Sequence, residues 1–172
     1  MRAVRRWSVR HARGLQRLYR AFEHVIKLLR PIVRWIGEHR LRRPAAFVER
    51  NFKGFLFDCQ MCGQCALGHT GMACPMNCPK DIRNGPCGGV RPDGTCEVEP
   101  DMRCVWVEAW EGARRMAEPD DILEIQRPVD HGYVGESSWL RVVREGRAGS
   151  AWIDRPGAPE TAKAPRKSEG KA

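Results

Sequence analysis

No stretch of about 20 consecutive apolar residues occurs in the sequence, which excludes a membrane-spanning helix. Length is limiting too. The 172 residues accommodate one domain with extensions and leave no room for a (β/α)8 barrel, which takes about 250. Also missing are a Ser/His/Asp or Cys/His set, paired carboxylates in a catalytic context and a dinucleotide-binding fingerprint, so no active site is expected in this chain. Acidic residues are scarce at one end: residues 1–50 carry 14 Lys and Arg against only Glu23, Glu38 and Glu49, within a net charge of +9. A basic extension on a near-neutral body suits an acidic protein surface, an anionic lipid or a nucleic acid. No nucleic-acid motif accompanies it, so a nucleic-acid-binding metalloprotein stands only as an alternative reading. Arg5 and Arg6 before Trp7 resemble the start of a twin-arginine signal, yet Arg10, Arg13 and Arg17 interrupt any apolar segment after them. Ser8 is the only serine there, too few for an organellar transit peptide, and a cytoplasmic protein is expected.

Apolar residues at Leu15, Leu18, Tyr19, Phe22, Val25, Ile26, Leu29, Ile32, Val33 and Ile36 predict an amphipathic helix that Pro31 kinks or splits. That stripe is too wide to face water and needs a cover: its own domain, another subunit or a lipid surface. Pro44 is expected to interrupt the next stretch, and Phe47 to Phe57 leads into the cysteines. Around Asp93 and Gly94 the sequence predicts a β-hairpin over Val90–Val98, bringing Cys87 and Cys96 together. Asp101 is a plausible N-cap for a second helix through Met102, Val105, Trp106, Ala109, Trp110, Ala113 and Met116, with Cys104 in its first turn, ended by Glu118-Pro119. The expected fold is therefore small and α+β: an irregular cysteine-rich metal-binding core with a β-hairpin, flanked by an N-terminal amphipathic helix and a following helix. Its expected divisions are a basic helical extension (1–50), a metal-binding domain (51–118), an irregular segment (119–147) and a disordered tail (148–172).

All eight cysteines fall in one region: Cys59, Cys62, Cys65, Cys74, Cys78, Cys87, Cys96 and Cys104. Four disulfides would suit a secreted domain, but the two-residue spacings and the lack of a signal peptide favour metal. Residues 59–79 contain no charged side chain, as expected of a loop wrapped around a buried inorganic centre. Short spacings let one loop supply several thiolates with little loop-closure entropy. Paired zinc knuckles give four thiolates per ion, whereas here the C-x2-C pairs overlap. Consecutive C-x2-C-x2-C with a later Cys-Pro, here Cys78-Pro79 or Cys74-Pro75, is the pattern of iron–sulfur loops. One or two [4Fe-4S] clusters are favoured, with zinc as the alternative, and Lys80, Arg83, Arg91 and Arg103 are candidates to balance either charge. His69 is a weaker ligand candidate. Gly85, Gly88 and Gly89 are read as letting the backbone wrap the metal, and Trp106 and Trp110 as core residues at helical spacing.

Phe57-Asp-Cys59-Gln-Met-Cys62-Gly-Gln-Cys65, Thr70-Gly71, Cys74-Pro-Met-Asn-Cys78-Pro-Lys80, Arg83-Asn-Gly-Pro-Cys87-Gly-Gly89, Gly94-Thr-Cys96-Glu-Val98 and Cys104-Val-Trp106 together resemble the C-terminal domain family of methylenetetrahydrofolate reductase. That family includes the small subunit of the two-subunit reductases of acetogenic bacteria. The resemblance runs over roughly Leu18–Arg141. It implies that the eight cysteines are metal ligands and that the chain is an accessory, electron-transferring subunit in folate one-carbon metabolism. It implies also that the flavin belongs to a reductase barrel on a separate polypeptide, with none in this chain.

Overall fold

A computed structural model describes residues 2–85 and 87–145 of the protein. The expected disordered tail, 148–172, lies outside the described residues. Six α-helices account for the regular structure: α1 Arg2–Arg10, α2 Ala12–Leu28, α3 Arg30–Ile36, α4 Glu38–Phe57, α5 Val105–Ala113 and α6 Ser138–Glu145. Short 3-10 turns at Pro75–Asn77, Pro119–Leu123 and His131–Tyr133 punctuate the remainder.

The N-terminal half is a run of helices broken where the sequence leaves few alternatives. Pro31 splits the expected long helix, as its missing amide donor requires: α2 ends at Leu28 and Pro31 sits in the first turn of α3. Gly37, at φ 91°, turns the chain back into α4. Pro44 does not interrupt the next stretch, as the sequence had suggested; it lies inside α4, which runs to Phe57 and ends on Asp58 in the left-handed region. Packing of α4 against α1, α3 and α6 outweighs the one hydrogen bond that proline removes. The basic N-terminus is also anchored to the body. Arg5 Nε donates to Glu108 of α5 at 3.0 Å with both side chains buried, and Ser8 Oγ donates to the Leu56 carbonyl at 2.8 Å.

The expected α+β fold with a β-hairpin is not formed: among the described residues there is no strand, and the protein is mostly helical. The turn itself is present, with Gly94 at φ 82° and the Asp93 carboxylate accepting from Thr95 N at 3.0 Å. Only isolated bridges follow it, Val90 to Cys96 and Thr95 to Arg103. The segment after the turn is shared between two partners: Arg91 N donates to Thr95 O on one side, while Cys96 N to Met102 O and Cys104 N to Gly94 O make the second bridge on the other, so single bridges form and no hairpin ladder. The following helix also starts later than expected, at Val105, so Cys104 is its N-cap and not a first-turn residue.

Between α4 and α5 the chain is irregular yet largely buried, from Met61 through Cys78. Two contacts fix its course. Gly71, at φ 60°, lies against the backbone of α5 at Gly112, where a methyl group on either glycine would overlap the other's neighbours. On the far side, Ala12, Phe57, Leu67, Met72, Cys74 and Met116 form one apolar cluster, so α2, α4 and the loop share a core.

Candidate metal centre

Four cysteines surround one place in the fold. The end of α4 delivers Cys59, the tight turns after it carry Cys62 and Cys65, and the loop returns with Cys74 just before the Pro75–Asn77 turn. All four line one small cavity of about 20 Å³, together with Lys53 and Glu49 of α4. Met61 at φ 50° and Gly63 at φ 69° give the backbone the reversals needed to turn successive thiols inward. The thiols surround the cavity without converging: among the described residues, no three Cys, His, Asp or Glu side chains are already gathered as ligands of one ion.

Burial and mutual repulsion disfavour the thiolate form inside the cavity. Burial, then the neighbouring Cys65 and Cys62, push the Cys59 thiol up to about 11. Burial again, with Cys59, Cys62 and Cys65 beside it, raises Cys74 to about 12. Donors reach the sulfurs: Met61 N to Cys59 Sγ at 3.4 Å, the Tyr19 hydroxyl to Cys65 Sγ at 3.5 Å, and Arg83 Nη1 to Cys62 Sγ at 3.8 Å. Arg83 also donates to the Gln64 carbonyl at 2.5 Å, fixing its guanidinium beside the loop.

Behind the cysteines lies a buried charge network. Lys53 is 1% exposed and Glu49 2%. Lys53 Nζ donates to Glu49 Oε1 and to Ser138 Oγ, both at 2.8 Å, and to the Tyr19 hydroxyl at 3.2 Å. It also sits 5.3 Å from the Tyr19 ring centroid and 5.1 Å from that of Trp139. Glu49 accepts from Ser137 Oγ at 2.6 Å, from Ser138 Oγ, and from Trp139 N at 3.3 Å. Burial alone would drive Lys53 to release its proton. The opposing Cys65, Tyr19 and Glu49 outweigh that and hold the ammonium well above its ordinary range. A permanent positive charge thus stands beside the four sulfurs, and α2, α4 and α6 are tied to it.

The other four cysteines are not part of this cavity. Cys104 packs with Ala73, Trp106 and Ala109, and Cys96 with Met102 and Val105. Cys87 Sγ lies 3.3 Å from Gly89 N and 3.8 Å from Lys80 Nζ. Cys78 is buried at the end of the Pro75–Asn77 turn. All eight are free thiols.

Sequence reasoning had nominated Lys80, Arg83, Arg91 and Arg103 as counter-charges. Arg83 reaches Cys62 and Lys80 reaches Cys87, whereas Arg103 pairs with Glu111. The central cation, Lys53, was missed together with Tyr19, Glu49, Ser137 and Ser138. Its trace in the sequence is Glu49 one helical turn before Lys53. His69 Nδ1 lies 3.2 Å from Glu124 and lines a different cavity, which it shares with Cys65. Gly85 lies against the Trp106 ring, so its lack of a side chain serves packing and not metal wrapping. Trp106 is core, donating to the Ile82 carbonyl at 3.1 Å, while Trp110 is half-exposed on a separate cleft.

A family model described as methylene-tetrahydrofolate reductase C terminal matches residues 40–132, more than half of the chain. The protein belongs to this family. The matched segment of this methylene-tetrahydrofolate reductase C-terminal domain holds all eight cysteines with Glu49 and Lys53, whereas Tyr19, Ser137, Ser138 and Trp139 lie outside it. No curated protein and no solved structure matches the chain.

Proposed function

We propose that this chain is a metal-binding accessory subunit of a methylenetetrahydrofolate reductase, cytoplasmic and without an active site of its own. It serves a flavin-containing barrel carried on a separate polypeptide. The observation that carries the reading is the placement of Cys59, Cys62, Cys65 and Cys74 around one cavity beside the buried ammonium of Lys53. Four sulfur donors in an uncharged, buried loop fit a soft metal centre by donor chemistry and by charge. These four residues would hold it, and the consecutive C-x2-C-x2-C spacing favours an iron–sulfur cluster. Bound there, a cluster supplies one-electron transfer, here with the partner's flavin.

The protein's own residues do the rest. Lys53 sets a fixed positive charge against the thiolates, Arg83 and the Tyr19 hydroxyl orient donors towards two of the sulfurs, and Met61 and Leu67 exclude water. Family membership supports the folate connection.

One observation favours a second reading, a structural zinc site in the same partner complex. A cavity of about 20 Å³ has room for a single ion, and a cubane would require the loop to open. Anaerobic purification with metal analysis, an absorption spectrum and co-purification with the folate-reductase barrel tests both. Iron with sulfide and broad visible absorption that bleaches on reduction is expected. A colourless zinc protein would select the second reading, and absence of any folate-enzyme partner would remove the accessory role from both.

A further inference from the structure

A cleft of about 740 Å³ lies between the first half of α4 and α6, and the segment joining the His131–Tyr133 turn to α6 completes its lining. Guanidinium groups dominate it: Arg40, Arg42 and Arg43 come from α4, and Arg141 and Arg144 from α6. Only two carboxylates accompany them, and each is already taken. Glu136 pairs with Arg42, and Glu38 with Arg144 at 3.3 Å. Arg40 and Arg43 are exposed, and among the described residues their side chains form no ion pair or hydrogen bond. Arg141 is only 8% exposed, its Nη1 donating to the Gly63 carbonyl at 3.2 Å and its guanidinium lying over the Tyr133 ring. Five arginines against two glutamates leave an excess of three positive charges among the lining residues.

The walls are held in place without a ligand. The Glu38–Arg144 pair ties α4 to α6, and the Arg42–Glu136 pair ties α4 to the segment before α6. That segment is fixed from behind as well: Gly135 N donates to the Met61 carbonyl at 2.8 Å, and Ser137 Oγ to Glu49 at 2.6 Å. A ligand entering a site already built loses little of its binding energy to ordering the protein. The volume falls within the range of small-molecule sites, about 300–1,000 Å³. Ala46 and Leu140 are the only apolar side chains in the lining, so the cleft offers no socket for the aromatic or aliphatic anchor of a protein partner. Guanidinium forks match carboxylate and phosphoryl oxygens. Because the arginines stand on two helices, they select a ligand with more than one anionic group.

We propose that the cleft between α4 and α6 binds a small organic polyanion, phosphorylated or polycarboxylic. Arg40 and Arg43, one helical turn apart on α4, take one anionic group, and the arginines of α6 take another. Neither the metal centre nor the reductase partner enters this site.

Isothermal titration calorimetry of the full-length, metal-loaded protein at low salt tests it, with propanediol bisphosphate and tricarballylate as probes, both polyanions that hold metal ions only weakly. Binding of at least one, weakening as salt rises, is expected, and the tighter of the two names the chemistry of the anion. R40Q/R43Q should weaken it by at least about tenfold, because charge-assisted hydrogen bonds to the ligand are lost. R13Q/R17Q removes the same charge from α2, outside the cleft, and should bind as wild type does. All of these arginines are exposed and, among the described residues, unpaired, so circular dichroism and metal content should match wild type in both variants. The proposal is overturned by wild type that binds neither probe at millimolar concentration, or by R40Q/R43Q binding as wild type does. An equal loss in R13Q/R17Q would reduce the effect to net charge and overturn it too. Binding of a polyaspartate peptide in place of both small probes would make the cleft a protein interface and overturn it equally.

Discussion

Replacing Lys53 by methionine removes the charge at the centre of the structure while keeping most of the side-chain volume. The ammonium has three hydrogen-bond partners, Glu49, Ser138 and Tyr19, and is 1% exposed. Its loss leaves Glu49, 2% exposed, as an uncompensated buried carboxylate. Breaking one side of such a pair costs about 3–5 kcal/mol. Ser137, Ser138 and the Trp139 amide continue to donate to Glu49, which places Lys53→Met near the lower end, about 3 kcal/mol. Adding Glu49→Gln should restore much of that loss, because a neutral pair has no charge to strand. Urea denaturation of the metal-loaded single and double variants measures both values, and chelator competition measures the metal affinity alongside. Affinity should fall in Lys53→Met, and the second substitution should not restore it, because the positive charge beside the sulfurs is still missing. A Lys53→Met protein within about 0.5 kcal/mol of wild type would refute the reasoning. So would a double variant no more stable than the single one.

Other outcomes follow from the same geometry. Chelation or thiol alkylation should unfold the loop between α4 and α5, since ordering it costs roughly 1–2 kcal/mol of backbone entropy per residue and a structural metal can return about 10 kcal/mol or more; circular dichroism before and after metal removal reads this. Gly112→Ala should destabilise by about 1–3 kcal/mol in denaturant titration, because the added methyl overlaps the Gly71 backbone. Arg5→Ala should cost roughly 3 kcal/mol by leaving buried Glu108 with only the more distant Arg6, at 3.7 Å, as a partner. Burial already raises Glu108 above the usual carboxylate range, against the opposing pull of Arg5 and Arg6. Without Arg5 that rise is larger, so the folded state holds its proton more firmly than the unfolded chain. The stability linked to that proton is present in acid and lost as pH rises through the folded value, so the Arg5→Ala deficit should shrink on acidification.

The helical part of the fold was legible wherever the sequence carries both a period and a punctuation mark. Pro31 and the apolar repeat from Leu15 to Ile36 predicted a split helix, and α2 and α3 are its halves. Pro44 misled because a single proline was given more weight than the packing of a 20-residue helix. The Asp93-Gly94 signal correctly marked a turn, but the residues after it pair with Met102–Cys104 as well as with Val90, and single bridges stand where a hairpin ladder was expected. At eight residues α6 is too short for Trp139, Leu140, Val142 and Val143 to show a period. The cysteines were legible as a set but not as a partition. Cys59, Cys62 and Cys65 are linked by spacing, whereas the fourth wall, Cys74, depends on the loop turning at Gly71 against α5. Lys53 was invisible because burying a lysine needs partners from three distant segments, at Tyr19, Glu49 and Ser138.

The central claim is that Cys59, Cys62, Cys65 and Cys74 build one thiolate metal centre. Metal and sulfide stoichiometry of anaerobically purified protein, wild type beside a variant with these four cysteines changed to serine, tests it most directly. Wild type should hold tightly bound metal, and the variant should lose the whole of that centre whatever Cys78, Cys87, Cys96 and Cys104 retain. Metal-free wild type, or a quadruple variant with undiminished metal, would contradict the account.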